Sequence, residues 1–375
     1  MVAWLREDDG LGLVAGDPGR IHREGLRARV AIEQAREAVA ALLGARSREI
    51  VFTSGATESI ATATWGAVRR SAERGRRPHV VLGAVEHSAV RQATAAFTSA
   101  FGGTTTVVGV DRVGRIDPDE LLDAVDDDTA LVHLQWGNHE VATLQPVATV
   151  VAACRERGVL VHVDAAQAVG RVPTDVGALG PDLLSASAHK FGGPSGAGLL
   201  YVRRGLRLEP LLQGGDQERA RRAGLENVPA IVGLGATAAG LQLLSSEGTT
   251  RLVEEQATSL ALTRRLIDGL SAMEGVHPLG DVSDEGRLPH NVCVGIDGIE
   301  PQGVLLGLDQ AGIAAHSGSA CSSESLEPSP VLEAMGVDAQ RSLRLSVGWD
   351  TDDDDVDAAL VAVADVVSRL RDLAR

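Results

Sequence analysis

Seven short runs rich in β-branched and other apolar residues recur through the first two thirds of the chain. They are EIVFT (49–53), HVVLGAV (79–85), TTTVVGV (104–110), ALVHLQW (130–136), VLVHVD (159–164), LLSASA (183–188) and GLLYV (198–202). Helical stretches at 58–74, 88–101 and 147–157 fall between several of them. Strands that alternate with helices build crossover units, so the pattern predicts an α/β fold with a mostly parallel sheet covered on both faces. The last two runs are joined only by FGGPSGAG, which leaves no room for a crossover helix. One antiparallel strand is therefore expected at the sheet's edge.

Residues 20–47 read as a helix, with apolar positions at Leu26, Val30, Ile32, Ala35, Val39 and Leu42. A second helical region covers 231–273, with a break near 246–250. The final third holds the strand-like NVCVGI and LRLSVG among helices, which suits a smaller α+β unit. The expected division is a large domain at 20–245, with 1–19 and 246–375 forming the smaller one. The run TDDDDVDAAL opens a helix in this reading, with Thr351 as cap and the acids at the positive end of the dipole. It is read as a cap, not as a metal site. His133 and His162 lie inside strand runs at a spacing that matches no common metal motif, so no metal site is expected.

Hydrophobic residues make up 44% of the chain but aromatics only 2%, so the core must be built from Ala, Val and Leu. The formal charge of −16 repels phosphate backbones, which argues against direct nucleic-acid binding. The opening MVAWLREDDG has acids where a secretion signal needs an apolar core, and no apolar run is long enough to cross a bilayer. A cytoplasmic protein without membrane contact is expected. Cys154, Cys293 and Cys321 are odd in number with no paired spacing, so a disulfide framework is not expected.

The chain has 35 basic residues, and Lys190 is its only lysine. Arginine replaces lysine wherever a surface charge suffices. It cannot replace a lysine whose neutral amine must attack a carbonyl, because guanidinium stays protonated. Lys190 is therefore a candidate for covalent chemistry with an aldehyde, against the simpler reading of chance retention. Its neighbours decide between the two. In VFTSGATES a strand runs into a helix whose first N–H groups, with the Thr57 hydroxyl, suit one phosphate. In VHVDAAQ, Asp164 ends a buried strand, where it could hold a pyridine nitrogen protonated or simply cap a helix. In SASAHK, Ser187 and His189 stand just before the lysine and could reach a phosphate. A phosphate cradle, a pyridinium partner and an amine at the strand ends of one sheet together fit pyridoxal 5'-phosphate.

With these residues in view, the chain resembles the cysteine desulfurases of the NifS/IscS type, in the class V aminotransferase family. The matching segments are REIVFTSGATES, VEHSAV, GVLVHVDAAQAVGRVPTDV, SASAHKFGGPSGAGLLYVRR, NVPAIVGLG and SGSACSSESLEPSPVLEAMG, in the family's order. The resemblance implies fold type I of the pyridoxal-phosphate enzymes, a seven-stranded sheet and a homodimer. It implies that Lys190 condenses with the cofactor aldehyde and that His87 stacks on the ring and assists proton transfers. Asp164 would pair with the ring nitrogen and Gln167 with the phenolic oxygen. Ala56, Thr57, Ser187 and His189 would hold the phosphate, and Arg344 the substrate carboxylate. Cys321 would be the thiolate that takes sulfur from L-cysteine, leaving L-alanine, and passes it to an acceptor protein. Cys154 and Cys293 read as core residues.

The sequence departs from the family's pattern in places. His139 in GNHE stands where an asparagine meets the phenolic oxygen, Leu225 where a threonine reaches the partner subunit's phosphate, and Trp349 where arginine is common. The family's opening strand and C-terminal docking tail are not recognised. The other readings are a different pyridoxal-phosphate reaction, such as selenocysteine lysis or transamination, and a non-catalytic partner subunit.

Overall fold

The computed structural model describes Met1 and residues 16–317 and 328–373. A seven-stranded sheet forms the centre of the larger part. Its strands are β1 (Ile50–Thr53), β2 (His79–Gly83), β3 (Thr104–Val108), β4 (Thr129–Gln135), β5 (Val161–Asp164), β6 (Leu183–Ser187) and β7 (Gly198–Val202). Their spatial order is β1-β7-β6-β5-β4-β2-β3. All neighbours are parallel except at β7, which runs antiparallel to both β6 and β1. The antiparallel strand expected at the edge is therefore one place inside it, because β1 crosses over to close that side. Strand order depends on where the crossover helices dock, and no single strand's sequence carries that information.

Five of the seven strands are buried at every residue and β4 at all but one, as a sheet covered on both faces requires, whereas β3 is exposed over four of its five residues. The core on either side is built from Val, Leu, Ile and Ala, with Phe52, Phe191 and Tyr201 among its few aromatic members. A second sheet, β10-β9-β8 (Ser342–Ser346, Asn291–Ile296, Val276–Leu279), is antiparallel throughout and has its own apolar cluster. Helices Arg251–Ser271, Pro301–Gln310 and Asp353–Leu373 supply much of that cluster.

Two local expectations change. The first helix runs Arg23–Leu42 rather than over 20–47, because a turn and a short 3-10 segment, Ser47–Glu49, follow it. Its buried stripe is Ala28, Ala31, Ile32, Ala35, Arg36 and Val39, while Leu26 and Val30 face outward. The last helix is capped by Asp352, which exchanges hydrogen bonds with Asp355, and Thr351 instead accepts from the Gly348 N–H. The long helical region divides into Val228–Leu241 and Arg251–Ser271, with the break where the sequence places it.

Glu218, Arg219 and Ala220 have successive positive φ angles of 48°, 60° and 59°. Ordinary residues adopt this left-handed backbone only when their surroundings impose it. Here the Glu218 carboxylate is buried, bonded twice to Arg36 at 2.7 Å and once to the Phe52 N–H at 2.8 Å. That ties the 214–226 loop to the first helix and to β1. Among the described residues no helix is long and apolar enough to cross a membrane.

Candidate active site

The ends of β1, β2, β4, β5 and β6 meet at one crevice, the usual ligand position in such folds. A cavity of about 250 Å³ opens there, lined among others by Ala56, Thr57, His87, His139, Asp164, Gln167, Ser187, His189, Lys190 and Arg344. Every described residue singled out from the sequence as a site candidate reaches this one cavity. Cys321 lies outside the described residues.

Most of these side chains follow the ends of β1, β2, β4, β5 and β6. After β1 the chain turns through Ser54 and Gly55 into helix Ala56–Glu73, whose N-cap Gly55 offers no side chain to the first turn. The Ala56 N–H donates to Ser187 Oγ at 2.6 Å, which joins the end of β6 to this turn. The close approach needs a glycine on β7: a Cβ on Gly198 would lie 2.4 Å from Gly55 Cα. Glu58, in the helix's first turn, accepts from the Ser54 N–H at 2.9 Å and from Arg222 Nε at 2.9 Å. Thr57 and His189 are exposed at the cavity mouth.

Asp164 ends β5 and is 6% exposed. Its Oδ1 accepts from the Ala166 N–H at 3.0 Å. Burial raises its pKa, against the opposing pull of that N–H and of the His87 and His139 rings. His87 caps helix Ser88–Ala100 through Nδ1, which accepts from the Ala89 N–H. The His87 and His139 rings meet edge to face, 5.1 Å apart. Lys190 ends a short 3-10 turn after β6, and its carbonyl accepts from Arg171 Nε and Nη2 at 3.2 and 3.0 Å. Burial and the nearby Lys190 hold the His189 imidazole below its usual pKa.

Arg344 comes from β10 in the second sheet. Its Nη1 donates to the His139 carbonyl at 3.0 Å, and its backbone pairs with His316. The two sheets thus meet at the cavity. His139 Nε2 lies 3.4 Å from Glu140 Oε1, and Glu140 Oε2 accepts from Ser329 Oγ at 2.5 Å.

Three contributors were missed from the sequence. His290 is buried, and burial first, then the neighbouring cations, lower its pKa to about 3. It is therefore neutral and donates from Nε2 to Gln167 Oε1 at 3.1 Å, which leaves the Gln167 NH₂ for a ligand. Glu86 and Glu140 are buried acids beside the site. No sequence signal marks these three, because burial next to a distant strand creates their roles. Cys154 and Cys293 are buried, and burial pushes their thiols up to about 11 and about 12, so neither is a thiolate at neutral pH.

Residues 13–359 match the family described as aminotransferase class-V. A protein of Methanosarcina thermophila named cysteine desulfurase IscS is 42% identical over 361 residues, covering 96% of this chain and 86% of that protein. One of Archaeoglobus fulgidus named cysteine desulfurase IscS 1 is 39% identical, covering 96% and 91%. Among solved structures, one titled NifS-like protein superposes with a TM-score of 0.86 at 33% identity, covering 98% of this chain and 94% of that one. Another, titled SspA in complex with cysteine, has a TM-score of 0.76 at 29% identity, covering 92% and 94%.

Proposed function

This chain belongs to the aminotransferase class-V family, and we propose that within it the protein is a cysteine desulfurase that uses pyridoxal 5'-phosphate. The observation that supports this reading is the meeting of the only lysine, a buried strand-end carboxylate, an uncapped helix start and a second-sheet arginine around one cavity of about 250 Å³. The names of the curated relatives and the cysteine-bound structural neighbour point to the same substrate.

The residues present fit the cofactor. The first turn of helix Ala56–Glu73, with Thr57, Ser187 and His189, supplies donors for a phosphate at the positive end of a helix. Ser187 Oγ accepts from the Ala56 N–H, so its own proton is left to donate. Asp164 would hold the ring nitrogen's proton, and a cation there would pull the carboxyl's raised pKa back down. The Gln167 NH₂ and His139 would reach the phenolic oxygen, and His87 would cover the ring. When bound, the cofactor supplies an electron sink for the pair released at the substrate's Cα.

Lys190 would provide the amine that holds the cofactor aldehyde, and its neutral amine would also serve as the base for the proton at the substrate's Cα. Arg344 receives the amino acid's carboxylate, and its bond to the His139 carbonyl fixes the fork's direction. The Cys321 thiolate then takes the substrate sulfur: an S–S bond forms as the substrate's Cβ–S bond breaks. The electron pair stays with the carbon skeleton, which gains protons and leaves as L-alanine. The persulfide passes to an acceptor protein. This reading includes a homodimer working in the cytoplasm, and the two-domain division at about residue 245 with the first 19 residues in the smaller part.

Mass spectrometry after addition of L-cysteine tests the activity. One extra sulfur on Cys321, with alanine formed in step, is expected. Sulfide release that persists in Cys321→Ser contradicts it.

A further inference from the structure

Glu86 lies beneath the cavity and has no part in the steps above. It is fully buried between the end of β2 and His87. Its Oε1 accepts from the Gln135 N–H at 2.6 Å. Gln135 is the cross-strand neighbour of Asp164, so the two carboxyl groups flank one residue. Glu86 Oε2 has no hydrogen-bond partner among the described residues. An ionised carboxylate oxygen without water or a donor is strongly disfavoured, and a proton on it removes the charge.

The charged and titratable groups facing Glu86 come from three elements. Asp164 at the end of β5 opposes its ionisation, while His139 after β4 and Arg91 on helix Ser88–Ala100 favour it. Burial, the largest influence, and Asp164 together raise the acid's pKa to about 8.

We infer that Glu86 is a positioning residue: a neutral acid that leaves Asp164 as the sole carboxylate under the cofactor's ring nitrogen. The inference rests on the cofactor reading above. With Glu86 neutral, the local negative charge stays on the carboxylate that meets the ring. Were Glu86 ionised at working pH, two carboxylates would share that proton and neither would be a fixed partner. As alkali removes the Glu86 proton, a second negative charge appears beside the ring and its absorption changes.

The test uses the full chain, as wild type and as Glu86→Gln, which has the same shape and is permanently neutral. Each is reconstituted with pyridoxal 5'-phosphate, and its visible spectrum is followed from about pH 6 to about pH 10, with cofactor affinity measured near pH 7. The wild type should show an alkaline transition that Glu86→Gln lacks, while their affinities near neutrality agree within about twofold. A purely structural role would move the melting temperature and leave the pH profile alone. Infrared spectroscopy of the cofactor-free wild type gives a reading that needs no variant. A protonated-carboxyl stretch at neutral pH, lost on alkalinisation and retained in Asp164→Asn, is expected. Identical pH profiles of the wild type and Glu86→Gln, or no such infrared band, overturn the inference. Failure of the wild type to bind the cofactor overturns the functional reading instead, and the infrared band still reports on Glu86.

Discussion

Arg171 clamps the Lys190 carbonyl with two donors, so the backbone is held while the amine reaches the cavity. An arginine at 190 would keep the charge and the fold but could not bond an aldehyde. Lys190→Arg should therefore retain its melting temperature, lose the visible band with added cofactor, and show background activity. Arg344 acts at the substrate's far end. Removing a charge-assisted pair costs ~1.5–3 kcal/mol, so Arg344→Ala should raise KM on the order of 10- to 100-fold and change kcat less. Steady-state kinetics with L-cysteine read this directly, and an unchanged KM contradicts the assignment. That Lys190, Asp164 and Thr57 gather at one cavity was legible, because each lies at or just after the end of a strand run. Glu86 and His290 were not, because an acid before a helix cap and a histidine before a strand look ordinary until distant elements bury them.

The strand ends converge because neighbouring elements are joined at close quarters. Gly198→Ala would drive a Cβ into the Gly55 backbone and push the Ala56 turn away from Ser187. Cofactor affinity should fall while the lysine remains, which a titration of absorbance against added cofactor would measure. Strands β4 and β5 carry a second linkage, through His133 and His162. Thr64 Oγ1 donates to the Ile60 carbonyl and so accepts from His133 Nε2. His133 Nδ1 then accepts from His162 Nδ1 at 2.9 Å, and His162 Nε2 is left without a partner. Both rings are neutral: burial lowers His133 to about 3 and His162 well below its usual value. Because the unfolded chain binds these protons near pH 6.5 and the fold does not, the stabilisation is complete above about 6.5 and is lost as pH falls toward 3. The melting temperature should drop through that window, and His162→Leu should flatten the fall. The Arg36–Glu218 pair is a third joint. Glu218→Ala strands a buried guanidinium and should cost ~3–5 kcal/mol in urea unfolding.

At the scale of the whole molecule, alternating strands and helices were enough to give a mostly parallel sheet and a smaller second one. They could not give the order of the strands, which placed the antiparallel β7 inside the edge. They also could not say which apolar residues on the first helix face the core, because Leu26 and Val30 have the right chemistry and the wrong side. Those two residues, one helical turn apart, are exposed together with Ile21, and Leu225 is exposed on its own loop. Exposed large apolar side chains on the first helix support the proposed dimer. Sedimentation should give twice the chain mass, and Leu26→Glu with Val30→Glu should shift it toward the monomer. The central claim concerns the one amine that meets the cavity. Borohydride treatment with pyridoxal 5'-phosphate, followed by peptide mass analysis, tests it most directly. The account predicts a stable pyridoxyl-phosphate adduct on the peptide containing Lys190. An adduct confined to the chain's terminal amine, or none at all, would contradict it.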